Sequence, residues 1–559
     1  MTRAPLSPAR TAALFHRDPA QVMQLARLGL AHPTRLSFLR ILLRRMQREN
    51  WRFDQPVFDI DGNGVGRAVY RAIGPERTYS LVAFAHDLPA DMRSDRVIAT
   101  AWDATFALYD GTPDAADLDR LAANVPLQEA GRVTQKELTL SRANRSVRLF
   151  EHVIQCLSKG RQPDADDLAA TGYLMRTTAV YGSGKFGAAT HHSLSDRPET
   201  AAPFQAEMLT VWMVRTFTVD LVNHLARMRD ATAAVPLDRN LRRNLGVGNS
   251  TGLGMAPFLV RHPILLNNWM MAREEALARV RAQQTAAPDK IKRFIQALKA
   301  AQENAAVWTS AHPLQQERLT ALRAGLDRIA AYVGVGWDQR ADYPWDTLWH
   351  WGQAHLDTEA QEALLSLMLE PHGGLIDELE AYLSADETTA FAIDGGQPIG
   401  ALKAVLAKNY DWALEVDYDG SKAAGRFWYV SEDKLEPRLG ERFEEPGSDR
   451  ELPLDIARQA AALFETLKGF PDTDPVARLL LAHPQHRSMV RRVQLTATRP
   501  FAEIRDNLID ADMLPIDMLR CKLACFGASR FDPRSDRWVR ISLFQNAPYP
   551  TDLHTEPDL

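Results

Sequence analysis

Ala206-Glu-Met-Leu-Thr-Val-Trp-Met-Val-Arg-Thr-Phe-Thr-Val-Asp-Leu-Val-Asn-His-Leu225 is the most hydrophobic stretch of helical character in the chain. Apolar residues cover most of the circumference of a helix drawn through 201–229, which is typical of a helix buried on nearly all sides. We therefore expect a central helix around which the other elements pack. A narrow polar stripe interrupts it, formed by Thr216, Asp220, Asn223 and His224 at three- and four-residue spacing. The stripe favours contact with solvent or structural pairing, and the alternative is that it lines an interior cavity.

The segment between Trp51 and Asp110 has a different period. Its short apolar runs alternate as in β-strands, and turn signals such as Asp61-Gly-Asn-Gly64 and Gly74-Pro-Glu-Arg77 separate them. Most of the connections are too short for a crossover helix, so neighbouring strands should run antiparallel. The sequence predicts a small antiparallel sheet near the N-terminus.

The remaining patterns complete the predicted fold class. Helical periodicity returns at 287–304, 312–333 and 358–384, and strand-like pieces mix with helices from 386 onward. We predict an α+β protein that is predominantly helical, with the small N-terminal sheet, a central helical body and a mixed C-terminal region. The best candidate for a domain boundary is the change in sequence pattern around 385–395, marked by Asp394-Gly-Gly396. We predict the domain ranges 1–140, 141–388 and 389–559.

The stretch Gly246-Val-Gly-Asn-Ser-Thr-Gly-Leu-Gly254 has the most unusual local composition. We predict that this stretch is a loop. Its glycines would leave backbone N–H groups uncovered, and Asn249, Ser250 and Thr251 would add short polar side chains. A helix follows, starting near Met255 or restarting at Pro263, and its free N–H groups point back toward the loop. Further donors flank this start, namely Arg261, His262 and Asn267. The composition predicts a cradle for a carboxylate or phosphate.

A second glycine-rich stretch, Tyr173 to Gly187, is the expected partner of this cradle. We interpret it as a helical segment that ends at Gly182 and Gly184. It is either a helix C-cap followed by a flexible turn, or a turn that presents polar groups to a ligand. The polar groups in question are Arg176, Tyr181, Ser183 and Lys185.

Three known types of site contain glycine-rich stretches that can be compared with these two. The residues before Gly246 are charged and contain Pro236, so no buried strand of a dinucleotide-binding unit precedes them. Ser183-Gly-Lys185 matches a phosphate-binding P-loop in that triplet alone. Gly248 to Pro257 loosely resembles the Gly- and Ser-rich catalytic loop of the fumarase and aspartase superfamily, but the Lys and Asn expected after a Met-Pro step are absent. We assign the chain to none of these families.

Composition restricts the partners and the cellular setting. The 559 residues carry a formal net charge of −5, which provides no global basic field for nucleic acid or an anionic membrane. No uninterrupted apolar run reaches the ~18 residues of a membrane-spanning helix. Three scattered cysteines favour a reducing, cytoplasmic compartment, and no spacing of Cys, His, Asp or Glu predicts a metal site. Association into a homo-oligomer stays open.

These patterns lead to one functional hypothesis with alternatives. We expect a cytoplasmic enzyme that acts on a small anionic metabolite by acid–base carbon–oxygen or carbon–nitrogen lyase (dehydratase) chemistry. Tyr181, Ser250 or His262 would move the proton, and Lys185 and Arg261 would bind the anion. The alternatives are a non-catalytic binding or scaffold protein and an oxidoreductase that uses a cofactor such as flavin. The sequence leaves the cofactor unknown.

Overall fold

The computed structural model describes most of the chain, which divides into two compact units. The described residues are 15–28, 34–89, 101–128, 133–177, 197–200, 204–252, 263–308, 313–383, 392–418, 426–430, 435–439, 452–454, 456–505, 524–527, 530–533 and 538–556. Unit 1 comprises Met1–Leu36, Leu253–Cys525 and Asp532–Trp538. Unit 2 comprises Ser37–Gly252, Phe526–Phe531 and Val539–Leu559.

Helices and strands alternate irregularly along the chain. The α-helices are α1 (Pro19–Val22), α2 (Leu25–Leu28), α3 (Phe38–Arg48), α4 (Ala115–Asn124), α5 (Phe150–Ser158), α6 (Ala165–Thr171), α7 (Gln205–Arg229), α8 (Arg239–Arg243), α9 (Pro263–Arg281), α10 (Pro288–Val307), α11 (Pro313–Val335), α12 (Pro344–His355), α13 (Thr358–Leu369), α14 (Gly373–Ile376), α15 (Ile399–Asn409), α16 (Asp411–Leu414), α17 (Ile456–Leu467), α18 (Val476–Ala482) and α19 (Arg487–Thr498). The strands are β1 (Arg52–Ile60), β2 (Gly66–Ile73), β3 (Thr78–Ala85), β4 (Ala104–Asp110), β5 (Glu137–Arg145), β6 (Tyr173–Thr177), β7 (Gly246–Gly252), β8 (Arg426–Val430), β9 (Leu435–Leu439), β10 (Leu452–Leu454), β11 (Arg530–Pro533) and β12 (Trp538–Leu543).

The prediction of a small antiparallel N-terminal sheet was wrong. The sheet has nine strands in the order β1-β2-β3-β4-β5-β6-β7-β12-β11. Neighbouring strands from β1 through β6 are antiparallel to each other, whereas β6 and β7 run parallel. The sheet is therefore large and mixed, although the broader expectation of an α+β chain with a helical majority fits in part.

Strands β6 and β7 were missed because their local composition favours other structures. Tyr173–Thr177 contains Leu174 and Met175, which are good helix formers, and we predicted a helix there. Gly246–Gly252 is rich in glycine, which is depleted in strands, and we predicted a loop. Hydrogen bonding to neighbouring strands overrides both preferences.

The central buried helix is confirmed as α7, and it covers one face of the sheet. The ring of Phe217 packs edge-to-face against Phe106 of β4 at 5.4 Å and against Tyr70 of β2 at 6.3 Å between ring centres. Trp212 makes the same kind of contact with Phe53 of β1 at 4.9 Å. The apolar side chains around α7 thus contact several strands of the sheet.

The opposite face of the sheet carries a separate apolar cluster. Val82, Ala107 and Leu140 stand on β3, β4 and β5 and pack against Leu118 and Leu121 of α4. The α4 helix begins where the sequence provides a cap, since the Asp114 carboxylate accepts a hydrogen bond from the backbone N–H of Asp117 at 2.8 Å. Unit 2 is therefore built in layers, with the sheet between α7 and α4.

Unit 1 is largely helical. The predicted helices at 287–304 and 312–333 are confirmed as α10 and α11, and α9 begins at Pro263, one of its two predicted starts. α9 packs against α12 and α13, while α15, α17 and α19 pack together. A three-stranded antiparallel sheet, β10-β8-β9, also lies within this unit. The predicted domain ranges stay predictions.

Candidate functional site

The two glycine-rich stretches of the sequence begin as neighbouring strands of the sheet. β6 and β7 are parallel, with Tyr173 beside Gly246 and Arg176 beside Gly248. Because parallel strands run in the same direction, the chain leaves β6 after Thr177 and β7 after Gly252 in the same direction along the sheet. In open α/β sheets, ligands bind beyond such carboxyl ends.

Two of the β7 glycines serve close packing. A Cβ at Gly248 would lie 2.4 Å from the Tyr173 ring, and a Cβ at Gly246 would lie 2.3 Å from the carbonyl oxygen of Leu543. Neither glycine belongs to the described glycines with positive φ. Their small size, rather than conformational freedom, is what the structure requires at these two positions.

Beside β6 lies a group of polar residues on the sheet face opposite α7. Thr105 of β4 stands opposite Arg142 of β5, and Asn144 of β5 stands opposite Arg176 of β6. Directly opposed residues share a face, as do residues two apart on one strand, so all four side chains project to one side. We call the following set the polar patch: His86, Asp103, Thr105, Arg142, Asn144 and Arg176.

Hydrogen bonds fix part of the polar patch. His86 Nε2 lies 3.0 Å from Thr105 Oγ1. The backbone N–H of Asp103 donates to Asn144 Oδ1 at 3.1 Å, and the Asp103 carboxylate accepts from the backbone N–H of Arg145 at 2.9 Å. Burial lowers the pKa of His86, which keeps its imidazole neutral at physiological pH. The patch therefore has a rigid polar frame around its cations.

Arg142 and Arg176 are the cations of the polar patch. Arg176 is only 7% exposed. The Arg142 guanidinium stacks over the Trp102 ring at 4.3 Å, and burial lowers its pKa to about 10. The two residues occupy diagonal positions on adjacent strands, which places their side-chain origins about 7–8 Å apart. Long side chains at that spacing can converge on one ligand, and Arg142 remains charged at neutral pH.

The structure describes some of the site residues predicted from the sequence and leaves others outside its described ranges. Arg176 is described in full, and Asn249, Ser250 and Thr251 lie on β7, where only their backbone belongs to the described structure. Tyr181, Ser183, Lys185, Arg261 and His262 lie outside the described residues. Asn267 belongs to α9 of unit 1, where its Oδ1 accepts from the Phe501 backbone N–H at 3.1 Å and its Nδ2 donates to Asn268 at 3.1 Å.

Sequence reasoning missed Arg142 and its neighbours. The signal was present as a period of two, since Leu138, Leu140, Arg142 and Asn144 alternate along β5. Leu140 belongs to the apolar cluster over α4, and the next two positions on that face are polar. A strand prediction for this segment would have placed a half-buried arginine at the end of an apolar face.

In comparisons with known proteins, no family model, curated protein or solved structure matches the chain. In the part of the chain that the structure describes, no group of three or more His, Cys, Asp or Glu side chains could hold a metal ion. No helix among the same residues is both long and apolar enough to cross a membrane. Cys156 and Cys525 are buried.

Proposed function

We propose that unit 2 binds a small anionic metabolite, a carboxylate or phosphate, at the polar patch. The observation that carries this proposal is the placement of two guanidinium groups, the half-buried Arg142 and the buried Arg176, on adjacent strands and on one face. A guanidinium has five N–H donors in a planar fork, so it can hold a carboxylate while also bonding to protein groups. Burial strengthens the attraction, because the local dielectric constant is lower than that of water.

The position of the patch supports the same class of ligand. Arg176 lies near the carboxyl end of β6, beside a strand that runs in the same direction. The predicted ligand-binding residues Tyr181, Ser183 and Lys185 follow β6 in the sequence. They remain part of the proposal, as do Asn249, Ser250 and Thr251 of β7.

For the reaction we propose carbon–oxygen or carbon–nitrogen elimination. Such a reaction develops negative charge on the carboxylate of its substrate, and fixed guanidinium groups stabilise that charge. Tyr181 and Ser250 are the proposed proton-transfer residues in unit 2. The proposed setting is the cytoplasm, which the small number and the scatter of the three cysteines favour, and a homo-oligomer remains compatible with it.

The test is ligand-dependent thermal stabilisation of the full chain by orthophosphate, succinate and malate. A ligand at 100 times its Kd stabilises the native state by about 2.7 kcal/mol. We expect Arg142→Gln to abolish most of the shift that the best of these anions causes. The matched control is Arg67→Gln on β2. It removes the same charge from a surface ion pair between Arg67 and Asp119 of α4. Malate is then assayed for elimination through the ultraviolet absorbance of the unsaturated product.

Two results would contradict the proposal. The first is the absence of any shift with all three anions. The second is an equal shift in Arg142→Gln, Arg67→Gln and the parent protein. A shift that depends on Arg142 without any elimination product would support the anion site and reject the lyase reaction in favour of a binding protein.

A further inference from the structure

A cavity of about 250 Å³ lies elsewhere in unit 2, beside the polar stripe of α7. Asp220, Asn223 and Arg227 line it from the helix, and Gln55 and Phe58 line it from β1. Residues at positions i, i+3 and i+7 share one face of a helix, which explains how a mostly apolar helix presents three polar groups together.

One carboxylate oxygen of Asp220 is held by the sheet. Asp220 Oδ2 accepts from the Tyr70 hydroxyl at 2.9 Å and from Gln55 Nε2 at 3.3 Å. Gln55 Nε2 also donates to the Tyr70 hydroxyl oxygen at 2.7 Å, so the three groups form a closed triangle. Among the residues that the structure describes, Asp220 Oδ1 accepts no hydrogen bond. Burial raises the pKa of Asp220, and the hydrogen bond from Tyr70 opposes this change.

The other end of the cavity carries the opposite charge. Arg227 is exposed and forms no ion pair with any described residue. Seven residues of helix separate it from Asp220, or about 10.5 Å along the axis. Helical side chains lean toward the N-terminus, so the long Arg227 side chain extends back toward Asp220 and shortens this gap.

Two further walls define the site. Asn223 Oδ1 accepts from the backbone N–H of Leu237 at 2.9 Å, which fixes the segment that carries Pro236 against the helix. Its Nδ2 donates to no other residue in the described ranges. The Phe58 ring packs edge-to-face against His224 at 5.3 Å and provides an apolar wall.

We propose that this cavity binds a small zwitterion of the amino acid class, with its ammonium group on Asp220 and its carboxylate on Arg227. A purely anionic ligand would be repelled by Asp220, and a purely cationic one by Arg227. The Asn223 amide lies between the two charges and is placed to donate to the ligand. This site is separate from the polar patch, because α7 covers the opposite face of the sheet.

The experiment is calorimetric titration of the full chain with the free amino acids, one at a time. Ethylammonium and propionate, each carrying a single charge, serve as comparison ligands. We expect saturable binding of at least one amino acid and no binding of either single-charge ligand at the same concentration. Arg227→Gln and Asp220→Asn should each weaken binding by roughly tenfold or more, because each removes a charge-assisted hydrogen bond.

Arg229→Gln is the matched control. Arg229 is on the same helix and pairs with Glu151 at 2.6 Å, and it does not line the cavity, so its substitution should leave binding unchanged. Arg227→Gln changes an exposed side chain and keeps the test independent of folding. The proposal is overturned if no amino acid binds, if propionate or ethylammonium binds as tightly, or if Arg227→Gln binds like the parent. The Arg142→Gln variant should bind the amino acid normally, which separates this site from the anion site.

Discussion

The Arg215 guanidinium lies 3.9 Å from the centre of the Tyr549 ring. Arg215 is 1% exposed, and burial lowers its pKa to about 10, so it stays charged at neutral pH. It donates to the carbonyl oxygens of Leu245 at 2.6 Å and of Ala547 at 2.9 Å. One α7 side chain thus ties together the residue before β7 and the C-terminal segment of unit 2.

Removing the Arg215 guanidinium should lower the free energy of unfolding much more than removing the Tyr549 hydroxyl. Arg215→Ala leaves several buried carbonyl groups without a donor, and we expect a loss of about 3–5 kcal/mol in the free energy of unfolding. Tyr549→Phe keeps the ring and loses one hydrogen bond, to the Arg242 carbonyl at 3.1 Å. Its expected loss is about 0.5–1.5 kcal/mol. Urea denaturation, monitored by circular dichroism, measures both losses in the free energy of unfolding. Equal losses for the two variants would contradict the assigned role of Arg215.

Glu207 makes the stability of the chain depend on pH. It is 5% exposed, and burial raises its pKa from 4.5 to about 7. Because the pKa of the folded state exceeds that of the unfolded state, its contribution to stability is fully present below pH 4.5 and is lost as the pH rises through about 7. Glu207→Gln cannot ionise and should avoid this loss.

The measurement for Glu207 is urea denaturation at two pH values. Between about pH 5.5 and about pH 8 the parent should lose about 2 kcal/mol more than Glu207→Gln does. Glu76→Gln, at an exposed position in the same unit, is the control and should follow the parent. The same pH dependence in all three proteins would rule out Glu207 as its source.

Gly248 should not tolerate a side chain. A Cβ there would lie 2.4 Å from the Tyr173 ring, so Gly248→Ala must shift β6 or β7. We expect a loss of about 1–3 kcal/mol, as for other overpacked sites. Gly334→Ala on α11 is the control, because a Cβ added at Gly334 would meet nothing within 4 Å. That variant should gain about 0.5–1 kcal/mol from helix propensity, and a similar outcome for the two variants would contradict the close contact.

Glu362 in unit 1 holds a buried charge network together. Its carboxylate lies 2.9 Å from Arg17, 3.2 Å from Arg27 and 3.3 Å from Arg273, and its own side chain is 0% exposed. Glu362→Gln leaves these cations with less compensating charge, and we expect a loss of about 3–5 kcal/mol.

A surface pair provides the comparison for Glu362. Glu378 is 75% exposed in its pair with Arg279, and Glu378→Gln should change stability by less than about 1 kcal/mol. Both variants are compared by urea denaturation at constant pH. A loss for Glu362→Gln as small as that for Glu378→Gln would show that the network contributes little.

The sequence was informative for several segments whose apolar pattern was long and periodic. The circumference of apolar residues between Ala206 and Leu225 predicted a buried central helix, and α7 is that helix. Helices α10 and α11 were predicted for the same reason, since an apolar stripe over many turns is a property of the segment itself.

The sheet shows where such local reasoning fails. Strands β6 and β7 are short, and their residues favour a helix and a loop, respectively. Only pairing with partners distant in the sequence makes them strands. The polar patch depends on the same pairing, because the registers of β5 with β4 and with β6 set Arg142 beside Thr105 and Asn144 beside Arg176.

The polar stripe of α7 illustrates the division between sequence and tertiary structure. By itself the sequence determined that Asp220 and Asn223 share one face of a helix, because helical geometry follows from spacing alone. It also determined the charge of Arg176 and the small size of Gly248. Only the tertiary structure decided that the stripe meets Gln55 and Phe58 across a cavity, and that Arg142 lies near Arg176. Those relations join residues far apart in the chain, and no local pattern encodes strand register or the space left between packed elements.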